Sequence, residues 1–366
     1  MNDLGKQASK HLGSTAMRIE NLRKAFSSDL DHFIVTNPKN LFYLTGFQGS
    51  GVLMITPDSA VTLYVYSIEF EHAKSKARGC EIELLENKMK IEEKVMNDLK
   101  VRGAKRVGID DLPISQYLLF KRRSRGMEIL LKVDLIWKLR KRKDSVELKN
   151  MKKAAEIATH GFEAALEAIR PGATEKEVAA EIEYRMRRHG SEGLAFDSIV
   201  ASGFNSILPH VGPTERKIRD DDFVIVDIGS IYEGYCTDIT RTYVAGNPSV
   251  RQRRMYDAVL RAHDRAIECI QEGVMAKVVD HRARQILSRR GYGEFFVHSL
   301  GHGVGLEVHE PPRLSPNSSE ELQSGYVVTV EPGVYIPGYG GVRIEDTVAV
   351  VRGGSERLSE APYGLS

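Results

Sequence analysis

Cysteine is scarce in this chain: Cys80, Cys236 and Cys269 are the three in 366 residues, far apart and odd in number. They form no CxxC pair, so neither a zinc ribbon nor a disulfide framework is indicated, and the usage fits a reducing cytosol. An excess of charge of one sign is also missing. With 52 basic and 50 acidic residues the net charge is +2, which gives no general attraction for nucleic acid or an anionic membrane. No apolar run approaches the roughly 18 residues of a membrane span, and the opening "MNDLGKQASKHLGSTAMRIENL" lacks a hydrophobic signal core. A soluble, cytoplasmic protein is expected, long enough for two domains.

The chain divides near residue 143, after the basic stretch "KLRKRK" (138–143), which reads as a solvated linker. Residues 1–16 are expected to form a polar tail, 17–143 an N-terminal domain and 144–366 a C-terminal domain. In the N-terminal part "DHFIVT" (31–36), "GVLMIT" (51–56) and "VTLYVY" (61–66) read as strands, the last two joined as a hairpin through "TPDSA". "KIEEKVMNDLKVRG" has helical periodicity and "KRVGID" returns to strand, so an α/β domain with a mixed sheet is expected. It contains no phosphate loop, and "GFQGSG" (46–51) reads as a turn. The second part opens with a long helix started by Asp144 and Glu147 and ended by "PG" at 171–172, then a helix capped by Thr174 with Glu177 and stopped at Gly190. A helix ending "MRRHG" (186–190) leads into strands and an acidic pair; about a hundred residues on, one ending "LSRRG" (287–291) does the same. The repetition hints at two related halves.

Chemistry concentrates in that second part. In "FVIVDIGSIYEGYCTDITRTYVAG" (223–246), Asp227 and Asp238 are symmetric about the midpoint between Tyr232 and Glu233. A hairpin folded there makes the two carboxylates cross-strand neighbours, with Cβ atoms about 5 Å apart. In "YVVTVEPGVYIPGYGGVRIEDTVAVV" (326–351), Glu331 and Glu345 are symmetric about Gly338. Aspartate is a poor strand residue and facing anions repel, so something positive should sit between them. Arg241 and Arg343 are available as ion-pair partners, the plainer explanation of any one acid. "GHGVGLEVHE" (301–310) supplies two histidines seven apart, a spacing unlike the four of an HExxH zinc helix. Four carboxylates and one imidazole form a hard, oxygen-rich donor set suited to Mn²⁺ or Co²⁺, with Fe²⁺ or Zn²⁺ as further candidates. Bridging carboxylates let such a set hold two divalent ions about 3.5–4 Å apart. The glycines of that run let backbone approach the site closely. Cys236 shares a strand face with Asp238 and is assigned to packing. His32, His72, His160 and His263 read as ordinary surface or core histidines.

The motifs "VDIG", "TDITRT", "HSLGHGVGLEVHE", "VTVEPGVY" and "VRIED" together resemble the pita-bread-fold metallopeptidases, which include methionine aminopeptidase, aminopeptidase P and prolidase. "TNPKNLFYLTGF", followed by a strand hairpin, is similar to the N-terminal domain of the Xaa-Pro-cleaving branch. The resemblance implies an α+β C-terminal domain with pseudo-two-fold halves. It implies metal ligation by Asp227, Asp238, His302, Glu331 and Glu345, with Asp238 and Glu345 bridging, and an attacking water activated between two ions. His309 would contact the substrate carbonyl or tetrahedral intermediate. His298, His210 and Arg343 match further catalytic positions, Glu331 the proton shuttle, and Tyr335 a substrate contact. One departure stands in the N-terminal part: "YVYSIEF" replaces an aspartate-arginine pair that many relatives carry.

The expected function is an exopeptidase for peptides with proline at the second position, foremost a Xaa-Pro dipeptidase acting as a homodimer. Xaa-Pro aminopeptidase action on longer peptides is the alternative. A methionine aminopeptidase or a non-catalytic peptide-binding relative ranks lower: the first normally lacks so large an N-terminal domain, the second should have lost ligands. Arg313 in "HEPPRLS" decides between the first two, because its planar fork suits the free carboxylate of a dipeptide. The plainer expectation for Arg313 is an ion pair with Glu310 or Glu320.

Overall fold

The computed structural model describes residues 15–25, 30–85, 89–124 and 126–365, so residues 1–14 of the expected tail lie outside it. Contacts divide the chain into two units, meeting between Arg140 and Lys141.

The first unit begins with α1 (15–24) and continues β1 (His32–Val35), α2 (Pro38–Thr45), β2 (Val52–Ile55), β3 (Val61–Tyr66), α3 (Ser67–Lys76) and β4 (Glu81–Leu85). It ends with α4 (Ile91–Val101), β5 (Arg106–Ile109), α5 (Ile114–Arg123), β6 (Glu128–Leu131) and α6 (Val133–Arg140). The strands form one sheet in the order β4-β3-β2-β1-β5-β6. β2 runs antiparallel to both neighbours and the other pairs are parallel, giving the mixed sheet that the sequence predicts. Ile34, Met54, Tyr64 and Val107 belong to a buried core that Val95 and Leu99 of α4 complete. α2 was not anticipated. Asn37 caps it by accepting from the Lys39 and Asn40 amides, Pro38 opens it, and Gly46 ends it at φ 77°, local chemistry that favours a helix even over so short a span.

The second unit is built twice from one plan. Its first half comprises α7 (Ser145–Ala168), α8 (Glu175–Arg188), β7 (Ile199–Ser202), β8 (Phe223–Ile228), β9 (Ile231–Tyr232), β10 (Tyr235–Cys236) and β11 (Ile239–Val244). The second comprises α9 (Val250–Ile267), α10 (Ala276–Arg289), β12 (Gly301–Gly303), β13 (Glu310–Leu314), β14 (Val327–Val330), β15 (Gly333–Ile336), β16 (Gly340–Arg343), β17 (Asp346–Val351) and β18 (Gly354–Arg357). Each half is a helix pair, a lone strand and a long hairpin. The sheet orders β11-β8-β7 and, within β13-β12-β14-β17-β18, the run β17-β14-β12 correspond strand for strand. Both capping boxes expected at Asp144 and Thr174 form, and Gly190 sits just past α8 at φ 102°. One apolar core seats α7 and α8 on the first sheet, another seats α9 and α10 on the second.

The two hairpins differ in how closely they follow their sequence symmetry. The ladder β14–β17 pairs Val330 with Asp346, and β15–β16 pairs Gly333 with Arg343, so one register centred on Gly338 runs through both and sets Glu331 against Glu345. The first hairpin turns one residue later than expected. Glu233 (φ 47°) and Gly234 (φ 76°) take its two central positions, because a tight two-residue turn needs left-handed backbone at both and glycine supplies it at the second. Asp227 therefore faces Thr240 rather than Asp238. A turn displaced by one residue moves the register by two, which keeps Asp227 and Asp238 on a common face.

Candidate metal centre

The two hairpins are stitched together by threonine. The Thr240 carbonyl accepts the Glu345 amide at 3.0 Å. Thr242 Oγ1 donates to the Arg343 carbonyl (2.8 Å) and accepts the Arg343 amide (3.0 Å). Thr347 Oγ1 holds the backbone of Asp238 on both sides, donating to its carbonyl at 2.8 Å and accepting its amide at 3.3 Å. β-Branched residues suit strands, and their hydroxyls here take backbone partners across the junction. The motif "TDITRT" thus serves as the seam between the halves.

Around that seam Asp227, Asp238, His302, Glu331 and Glu345 line one cavity of about 380 Å³, together with His210, His309, Phe196, Asp197, Ile199, Val211, Gly212 and Val308. One donor atom from each of Asp238, His302 and Glu345 lies within 4.8 Å of the others. His302 Nε2 is 3.6 Å from Asp238 Oδ2 and 3.4 Å from Glu331 Oε1. His302 Nδ1 is 3.1 Å from the Gly303 carbonyl, so it carries the ring proton and leaves the Nε2 lone pair turned toward the carboxylates. Burial pulls the His302 pKa down to about 4, which keeps that lone pair available at neutral pH.

The carboxylates are short of partners. Arg343 Nη2 donates to Asp227 Oδ2 and Thr240 Oγ1 to Glu345 Oε2 (2.7 Å), but Asp227 Oδ1 and Glu345 Oε1 are buried without any. Burial, reinforced by mutual repulsion, pushes Asp238 and Glu345 well above the ordinary carboxylate range; burial takes Glu331 to about 8. Four acids packed this way are poorly accounted for as structural ion pairs, because one arginine serves them all. Their oxygen-rich set with one imidazole fits divalent cations, and the orphaned oxygens are donors that such ions would satisfy.

The glycines of "GHGVG" have a specific cause. β12 lies between β13 and β14, and a Cβ on Gly301 would come within 2.1 Å of the Thr329 carbonyl oxygen, one on Gly303 within 2.4 Å of that of Pro311. Only glycine lets the neighbouring strands close on His302.

The other expected residues gather at the same place. His309 stands 4.3 Å from His302, ring centre to ring centre. His298 Nε2 is 3.0 Å from the Tyr335 hydroxyl, which also accepts from Arg343 Nη1 at 3.0 Å; His298 Nδ1 is 4.0 Å from Glu331. Arg313 is exposed and pairs across the ladder with His302, which places it on the face that carries the cavity. Neither expected ion pair forms: Glu310 is taken by Lys143 at 3.1 Å and Glu320 by Lys141, and Arg313 has no ion pair among the described residues. Arg241 turns from the site acids to Asp346 (2.8 Å) and holds the Glu345 carbonyl from behind. His263 is fully buried 3.2 Å from Asp346, a pairing that the sequence analysis missed although Asp346 adjoins Glu345. Thr240 was missed too; the alternation of threonines in "TDITRT" was the available signal. Cys236 is buried with its thiol against the Leu306 carbonyl.

The chain is similar to known proteins over both of its units. Residues 149–352 match the profile of metallopeptidase family M24, and residues 18–141 that of the creatinase/prolidase N-terminal domain. The chain is 41% identical over 352 residues to a Xaa-Pro dipeptidase of Pyrococcus furiosus, spanning 95% of this chain and 99% of that protein. The structure of a Xaa-Pro dipeptidase from Bacillus anthracis superposes with a TM-score of 0.92 at 40% identity, covering 96% of this chain and 99% of the other. An X-Pro aminopeptidase from Thermotoga maritima gives 0.85 at 34% identity, covering 92% and 98%. With the profile spanning more than half its length and the paired hairpins of the pita-bread fold around a carboxylate cavity, the chain belongs to metallopeptidase family M24.

Proposed function

We propose that the protein is a metal-dependent Xaa-Pro dipeptidase. The observation that carries the reading is the convergence of Asp227, Asp238, His302, Glu331 and Glu345, with unpartnered carboxylate oxygens, on one small cavity. They would hold two divalent ions, Mn²⁺ or Co²⁺ first and Fe²⁺ or Zn²⁺ after them. When bound, the ions supply positive charge that polarises the scissile carbonyl and makes water a nucleophile at neutral pH.

The chain's own groups do the rest. Glu331 accepts a proton from the attacking water and returns it to the proline nitrogen, which cannot leave unprotonated. His309 donates to the carbonyl oxygen as negative charge develops there. His210 lines the cavity, and His298 and Arg343 hold the Tyr335 hydroxyl between them. Arg313, free of the ion pairs expected of it, takes the dipeptide's terminal carboxylate. A homodimer in the cytoplasm completes the reading, and sedimentation of the purified protein checks the assembly.

The likeness to the Thermotoga maritima X-Pro aminopeptidase keeps action on longer peptides as a second reading. Hydrolysis of Met-Pro and Met-Pro-Ala-Ala by metal-analysed protein separates the two. Dipeptidase action predicts a much larger kcat/KM for Met-Pro, and Arg313→Ala should raise KM for the dipeptide far more than for the tetrapeptide. Equal kcat/KM values turn the assignment to aminopeptidase, and hydrolysis of neither overturns both.

A further inference from the structure

One acid in the cavity wall has no part in the proposed reaction. Asp197 lies two residues before β7, whose Ile199 stands directly opposite Asp227. The segment keeps alongside the extension of β8: the Ala195 amide donates to the Gly229 carbonyl at 2.9 Å, and Leu194 bridges to Ser230. Residues two apart on extended chain share a face and lie about 7 Å apart. Ile199 is buried and Asp197 exposed, yet both line the same cavity, so Asp197 stands at its mouth. Among the described residues its carboxylate has no hydrogen bond or ion pair, whereas Arg343 holds Asp227 and Thr240 holds Glu345. Phe196, Ile199 and Val211 give the same cavity an apolar lining.

We infer that Asp197 selects the side chain of the substrate's first residue, favouring lysine and arginine and disfavouring aspartate and glutamate. The inference rests on the Xaa-Pro reading above. A long cationic side chain lays its methylenes along apolar surface and keeps its head at the water boundary, the arrangement that this wall and rim provide. The α-ammonium is not the group read here. It sits one carbon from the scissile carbonyl, among the buried residues, while a lysine head extends four carbons farther toward the mouth.

The test compares kcat/KM for Lys-Pro, Met-Pro and Glu-Pro in the unmodified enzyme, Asp197→Asn and Asp197→Lys. The unmodified enzyme should prefer Lys-Pro to Glu-Pro. Asp197→Asn should lower that ratio about tenfold, the product of one lost attraction and one lost repulsion at a solvent-exposed position. Asp197→Lys should reverse the order, and added salt should shrink the preference. An unchanged ratio in Asp197→Asn, or one common loss for all three dipeptides, overturns the inference and leaves the Xaa-Pro reading standing. Failure of the unmodified, metal-loaded enzyme to cleave any of the three overturns that reading, and this inference with it.

Discussion

Glu345 is 2% exposed, with one oxygen on Thr240 and the other orphaned, a state that a buried carboxylate tolerates poorly without a cation. Asp238→Ala or Glu345→Ala should therefore abolish both activity and bound metal; metal analysis of folded protein checks this, and a metallated, active variant would refute the assignment. His302 and His309 should separate by the same measurement. His302→Ala should lose metal, because its Nε2 faces the carboxylates, whereas His309→Ala should keep metal and lose turnover. Equal metal loss in both would mean that the roles are misassigned. In the first unit, Asp110 accepts from Thr36, Asn37 and Asn40, yet burial raises its pKa to about 6 from 3.8. A folded-state pKa above the unfolded value contributes stability below pH 3.8 that is lost as pH rises through 6. Asp110→Asn should flatten the pH dependence of unfolding across that window by about 2–3 kcal/mol, a slope readable by denaturant titration at several pH values.

At the scale of elements, strands were the most legible in sequence and short helices the least. The short apolar runs around Ile34, Met54 and Leu63 mark strands because they are rich in β-branched and aromatic residues, and these strands are buried on both faces. The second catalytic hairpin could be read to the residue, since "PGYGG" admits a turn centred on Gly338. The first could not: the symmetry of Asp227 and Asp238 put the turn between Tyr232 and Glu233, whereas the left-handed backbone at Glu233 and Gly234 sets it one residue later. Four of the five candidate donors stood out as acids in unlikely strand positions, and His302 as an imidazole in a glycine-rich run. The threonine seam and the Arg241–Asp346–His263 cluster were not, because both depend on which strands of the two halves meet, which local pattern does not encode. β12 tolerates little change. Gly301→Ala would drive a methyl to within 2.1 Å of the Thr329 carbonyl, so overpacking of about 1–3 kcal/mol and weakened metal binding are expected, measured by melting and by metal titration.

For the whole molecule, any ion held by residues of both halves binds the folded chain and not the unfolded one. Saturating metal at a hundred to a thousand times its Kd should add about 3–4 kcal/mol of stability. Chelation should remove that gain in the unmodified protein but not in Glu345→Ala, as calorimetry with and without chelator would show. The seam has another consequence. Thr240 and Glu345 are 105 residues apart in sequence, and the loop after β11, around the exposed Gly246, joins the first half to the second. A protein cut there keeps every donor, two on each fragment from the hairpins and His302 on the second. Neither fragment can close the cavity alone, since Phe223 and Val244 of the first half complete the core of the second. Mixed, the fragments should regain peptidase activity with second-order kinetics, and divalent metal should act as the glue that sets their affinity for each other.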